Sequence, residues 1–127
     1  MVEFALLAPI FIALLFGAVA VGIYMQNINA VRSLATDATR FAAVEYQRNN
    51  RIAPSVIQAN IEARAVSTPY MLNPELLTVS VTEVSPSRVN GARELSMTIS
   101  YALPSFIGGT RIDAFTYSQT RPIFVIT

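Results

Sequence analysis

The sequence predicts an α+β fold: a long N-terminal helix, apolar in its first half, followed by a short second helix and a small antiparallel β-sheet. Three observations lead there. Residues 4–25 form an uncharged apolar run, the residues after it keep apolar positions three and four apart, and residues 76–84 and 95–103 alternate apolar with small polar side chains. The expected organisation is an apolar membrane or filament-core helix over 1–25, its amphipathic continuation over 26–48, and a small α+β head over 49–127.

The apolar run, FALLAPIFIALLFGAVAVGIYM, carries no charge. As a helix it spans roughly 33 Å, enough for a hydrocarbon core. A soluble core helix would show one apolar stripe, whereas this segment is apolar on every face. It also differs from a secretory signal peptide, which has a basic start, a shorter apolar stretch and a small-residue cleavage site. Three details set it apart from a plain lipid anchor. Glu3 places a carboxylate at the edge of the run, where burial calls for a positive partner. Pro9 removes one backbone hydrogen bond and favours a kink or local melting. Ala13 with Gly17, and Ala18 with Gly22, are small pairs four apart that let neighbouring helices approach closely.

Beyond Met25, Ile28, Val31, Leu34, Ala35, Ala38, Phe41 and Ala42 recur at helical spacing, with Asn27, Arg32, Asp37 and Arg40 on other faces. No Gly or Pro intervenes between Gly22 and Asn49, so one helix of roughly 70 Å is expected from Val2 to Arg48. The Asn49-Asn50 pair is its expected stop.

In the head, Pro54 suits a first helical turn, and Val56, Ile57, Ile61 and Ala65 predict a short helix over 54–67. A strand follows in LLTVSVTEV, where Leu77, Val79 and Val81 alternate with Thr78, Ser80 and Thr82. Asn90-Gly91 is the pair a tight type I′ hairpin prefers, although its flanks allow a longer loop. The return strand alternates Leu95, Met97, Ile99, Tyr101 and Leu103 against small polar residues, so the helices must cover its apolar face. Pro104 ends it and Gly108-Gly109 marks a loop. FTYSQTRPIFVIT then reads as a third strand that Pro122 interrupts or pushes to a sheet edge. The closing IFVIT is either a core strand or an interface with a neighbouring subunit.

With 53 % of 127 residues hydrophobic and 13 % charged, the composition lies between soluble and membrane chains, as one small domain on an anchor would give. Nine Arg nearly balance eight acidic residues, without Lys or a basic cluster, so neither nucleic acid nor anionic lipid is expected as main partner. Absence of Cys and His removes thiolate chemistry, the commonest general base and the commonest metal ligand. The remaining candidate acids and bases are Asp37, Glu45, Glu62, Glu75, Glu83, Glu94 and Asp113. They lie near turns or beside Arg and in no short calcium-loop pattern, so no enzyme, metal or cofactor is expected.

MVEFALLAPIFIALLFGAVAVG resembles the N-terminus of TadE-like pilin-related proteins of the tight-adherence (Tad) branch of type IV pili, most specifically through Glu3, Phe4, Ala5 and Leu6. SYALPSFIGGTRIDAFTYSQTRP is similar to the C-terminal part of that family, while the middle matches by architecture alone. The resemblance implies a type IV pilin-like fold made as a prepilin. It also implies insertion in the bacterial inner membrane with the head outside the cytoplasm, and cutting by an aspartyl prepilin peptidase after a Gly shortly before the glutamate. Here Met1 stands two residues before Glu3 with neither that Gly nor a basic leader, so the chain corresponds to a processed form or to a start placed late. The resemblance further implies that Glu3 neutralises the N-terminal amine of an adjacent subunit, which is the partner its burial calls for.

The resulting reading is a structural, non-catalytic pilin subunit, a homo-oligomer in a helical surface filament for adhesion, handled by the pilus assembly machinery. Glu3, Phe4, Pro9, Ala13, Gly17, Ala18 and Gly22 are its assembly residues. The alternatives are a low-abundance TadE-like subunit that initiates or caps assembly, and a non-polymerising single-span membrane protein with an extracytoplasmic binding module.

Overall fold

The computed structural model describes residues 2–48, 52–103 and 116–126, with Val2 described by its backbone. The Asn49-Asn50 stop, Pro104, the Gly108-Gly109 loop, Asp113 and Phe115 lie outside them. Helix α1, Val2–Gln47, is continuous. It runs unbroken through Pro9, so of the kink or local melting expected there the melting is not observed. A proline costs the helix one backbone bond, and the bonds of the turns on either side remain. The helix closes with the Arg48 N–H donating to the Val44 carbonyl at 3.2 Å.

Helix α2 spans Pro54–Val66 with its proline in the first turn, where the missing N–H costs nothing. A short 3-10 turn, Pro74–Leu76, leads into the sheet, its start held by the Asn73 side chain accepting from the Glu75 N–H at 3.0 Å. Strands β1 (Leu77–Val84), β2 (Ala92–Ala102) and β3 (Thr116–Ile126) form an antiparallel meander in that order. The sheet is therefore the small antiparallel one expected, and the arrangement is α+β.

The β1–β2 connection takes the longer-loop alternative in place of the tight hairpin. Val84 pairs with Glu94, and the chain between the strands is a longer loop. Within it the Ala92 N–H donates to the Val89 carbonyl at 3.2 Å, and Gly91 has φ +80°. That positive φ at the third position is the geometry of a type II turn, whereas type I′ needs Asn90 left-handed as well. Pro122 sits opposite Ser96 inside β3, which among the described residues pairs with β2 alone. An edge strand tolerates the missing donor, so the proline neither interrupts nor shortens it.

Both helices cover one face of the sheet, α1 over β3 and α2 over β1. The core joins Val31, Leu34, Ala35, Ala38 and Ala42 of α1 with Ile57, Ile61 and Ala65 of α2, and with Val79, Val81, Leu95, Met97, Ile99, Ile123 and Val125 of the sheet. Three alanines on the α1 stripe keep helix and sheet close. Ile28 and Phe41, expected on that stripe, are half-buried at its margin, and the Arg64 guanidinium lies 5.1 Å above the Phe41 ring. Residues 123–126 of IFVIT close β3 and take the core-strand alternative at every second position. Ile123 and Val125 enter the core while Phe124 and Ile126 point outward, as the two-residue period of a strand requires. The opposite sheet face carries Ser and Thr, with hydroxyl pairs Thr98–Thr120 at 3.1 Å and Ser100–Ser118 at 3.0 Å.

Candidate assembly site

The head grips α1 only along its second half. At the lower end of the head, Arg32 Nε donates to the Tyr117 hydroxyl at 2.9 Å, and Tyr117 donates to Gln119 at 2.7 Å. Midway, the Tyr70 hydroxyl donates to Asp37. At the upper end Arg93 bridges the elements, donating to Glu83 of β1 at 2.5 Å and to the Tyr46 hydroxyl of α1 at 3.0 Å. Sequence reasoning missed these clasps. Apart from Tyr117–Gln119, their partners are 10–85 residues apart, and nothing in local spacing pairs them.

Among the described residues, the stretch of α1 from Glu3 to Val19 projects almost wholly exposed. Among the described residues α1 is one helix long and apolar enough to cross a membrane, and none of its most apolar window is buried. From Phe4 to Phe16 the large apolar side chains are 50–78 % exposed. Each such side chain gains ~1.5–3 kcal/mol on leaving water, so this surface requires lipid or protein around it.

The sequence-selected residues all fall on this uncovered half, in α1, and Glu3, Phe4, Pro9, Ala13, Gly17, Ala18 and Gly22 are exposed. Glu3 lies in the first turn, where a carboxylate interacts favourably with the helix dipole, and it takes no part in the ion pairs of the described residues. A Cβ added at Gly17 or Gly22 meets nothing within 4 Å, so neither glycine is required by packing inside the chain. At 3.6 residues per turn Ala13 and Gly17 share one face, and Ala18 and Gly22 share another roughly 140° around the axis. The helix thus offers two separate shallow seams.

Residues 1–45 match the family model TadE, described as TadE-like protein. That segment is similar to TadE-like proteins. The match covers 45 of 127 residues and includes Glu3 and both small-residue seams, in agreement with the resemblance read from residues 1–22. The head beyond residue 45, including the stretch from Ser100 to Pro122, lies outside it. No curated protein and no solved structure matches the chain. The match over residues 1–45 and the uncovered apolar half together fit membrane anchoring.

Proposed function

We propose that the chain is a structural, non-catalytic pilin subunit that leaves the inner membrane to polymerise through its TadE-like helix into a surface filament for adhesion. The observation that carries this reading is the pair of empty seams at Ala13/Gly17 and Ala18/Gly22, on different faces of a helix with no cover of its own. A lipid anchor gains nothing from two close-approach faces, whereas a helix surrounded by copies of itself uses both. Phe4 supplies apolar bulk at the start of the contact, Pro9 a point where the helix yields, and Glu3 a carboxylate for a neighbour's N-terminal amine. In a dry filament core that ion pair favours correct register more than it adds stability. Prepilin peptidase and the pilus assembly machinery are the partners this implies.

The test is electron microscopy of sheared surface material. Glu3→Gln is expected to abolish filaments while the chain still fractionates with the membrane; normal filaments from this variant would overturn the reading. A second reading, a low-abundance subunit that starts or caps assembly, is favoured by the TadE-like character of the helix. Peptide quantification of the sheared filaments separates the two, because a capping subunit is present in a few copies per filament.

A further inference from the structure

On the sheet face turned away from both helices, Glu94 of β2 stands opposite Val84 of β1 and Phe124 of β3. Residues directly opposite in antiparallel strands share a face, so this carboxylate lies between an isopropyl group and an aromatic ring, neither of which bonds it. Glu83 and Arg93, the next charged residues along the two strands, point to the other face, where they bond each other and Arg93 reaches Tyr46. Glu94 is nevertheless 1 % exposed, and an ionised carboxylate held out of water requires donors in place of that water.

Among the described residues every donor to this carboxylate belongs to Arg88, in the loop between β1 and β2. Arg88 Nε and Nη2 both donate to Oε1, Nε at 2.7 Å, and the Arg88 backbone N–H donates to Oε2 at 2.9 Å. The guanidinium also lies over the Phe124 ring, 5.7 Å from its centre. Further bonds give the loop its own shape. The Ser87 hydroxyl donates to the Val89 carbonyl at 3.1 Å, and the Ala92 N–H donates to the same carbonyl at 3.2 Å. Those bonds persist whether or not the loop lies on the sheet, whereas the bonds from Arg88 fasten it there.

The fastening depends on charge. Hydrogen bonds between two ionised groups are roughly twice as strong as neutral ones. A protonated carboxyl gives up the ion pair and leaves one oxygen a donor. The Arg88 side chain is 68 % exposed, so water solvates its guanidinium once the loop lifts. The side chains facing Glu94 from β1 and β3 are uncharged, and no second group offsets the change.

We propose that the β1–β2 loop is an acid-released strap: proton uptake by Glu94 frees Arg88, and the loop lifts to uncover Val84 and Phe124 beside the exposed Ile126. The device works within one chain and is independent of polymerisation. Arg88 holds the Glu94 carboxyl below its ordinary 4.5, so the strap is fastened at neutral pH and lifts below pH 4.5. What it governs is the apolar character of the outer sheet face at the close of β3, where Ile126 is already 89 % exposed.

Hydrogen exchange of the full-length chain in detergent, read by mass spectrometry and corrected for intrinsic exchange at each pH, tests this. Between about pH 6 and about pH 3, protection across residues 85–91 is expected to fall at least about tenfold while β2 and β3 stay protected, the signature of local opening. This titration of the unsubstituted chain needs no variant to fold. Glu94→Gln has no proton to take up, and its strap should be unprotected at both pH values with the sheet still protected. Protection of 85–91 that does not change with pH would overturn the proposal, as would a loss shared equally by β2 and β3. A pH response that survives in Glu94→Gln would equally remove Glu94 as the latch.

Discussion

Glu94 sits on the solvent-facing side of β2 and is nonetheless 1 % exposed. The β1–β2 loop folds back over it. Arg88 Nε donates to one carboxylate oxygen at 2.7 Å, the Arg88 backbone N–H to the other at 2.9 Å, and the guanidinium lies 5.7 Å from the Phe124 ring. This charged hydrogen bonding by Arg88 holds the Glu94 carboxyl below its ordinary value of 4.5, and Arg93 does the same for Glu83. The folded chain therefore keeps both carboxylates ionised at a pH where the unfolded chain binds protons. Their contribution is complete above about pH 4.5 and is lost as pH falls below it. Glu94→Gln should lower the melting temperature at pH 7 and flatten its decline below pH 4.5, measured by circular dichroism in detergent. Tyr70 works at the other extreme. Burial, and then its bond to Asp37, push its hydroxyl from 10.0 up to about 12. Because the folded form holds this proton more tightly, stability should fall between pH 10 and 12, and Tyr70→Phe should remove part of that alkaline dependence.

At the scale of elements, the two halves of α1 answer to different neighbours. Leu34 is fully buried among α2 and sheet residues, so Leu34→Ala should cost the head ~2–5 kcal/mol, read from chemical unfolding of the full chain in detergent. Gly17 touches nothing, so Gly17→Leu should leave that unfolding curve in place while reducing or abolishing filaments. The reverse pattern, a destabilised head with intact filaments, would sink the division of labour along the helix. Much of this was legible in the sequence. The three- and four-residue spacing of Val31, Leu34, Ala35, Ala38 and Ala42 marks the face that meets the head, and alternation from Leu77 to Val81 and from Leu95 to Tyr101 marks the strands. The turn between them was not legible in detail. Asn90-Gly91 is compatible with more than one turn type, and the loop that contains it also closes Arg88 over Glu94, five positions beyond the turn's start.

The whole molecule is a head clamped to the upper part of a rod whose lower part is bare. Since none of the most apolar window of α1 is buried against the head, helicity there does not depend on the head. Heating the full chain in detergent should therefore melt near-ultraviolet tertiary signal and strand content together, leaving residual helical ellipticity above that transition; a single complete loss of helix would show that the halves are coupled. The sequence by itself determined the apolar rod, the seams at Ala13/Gly17 and Ala18/Gly22, and the α+β order of elements. Hydropathy and periodicity are properties of neighbours along the chain. Only the tertiary structure decided that Glu94 is covered and that Tyr46, Glu83 and Arg93 clasp rod to sheet. Those outcomes depend on which distant groups burial brings together, and local pattern carries no information about residues tens of positions away.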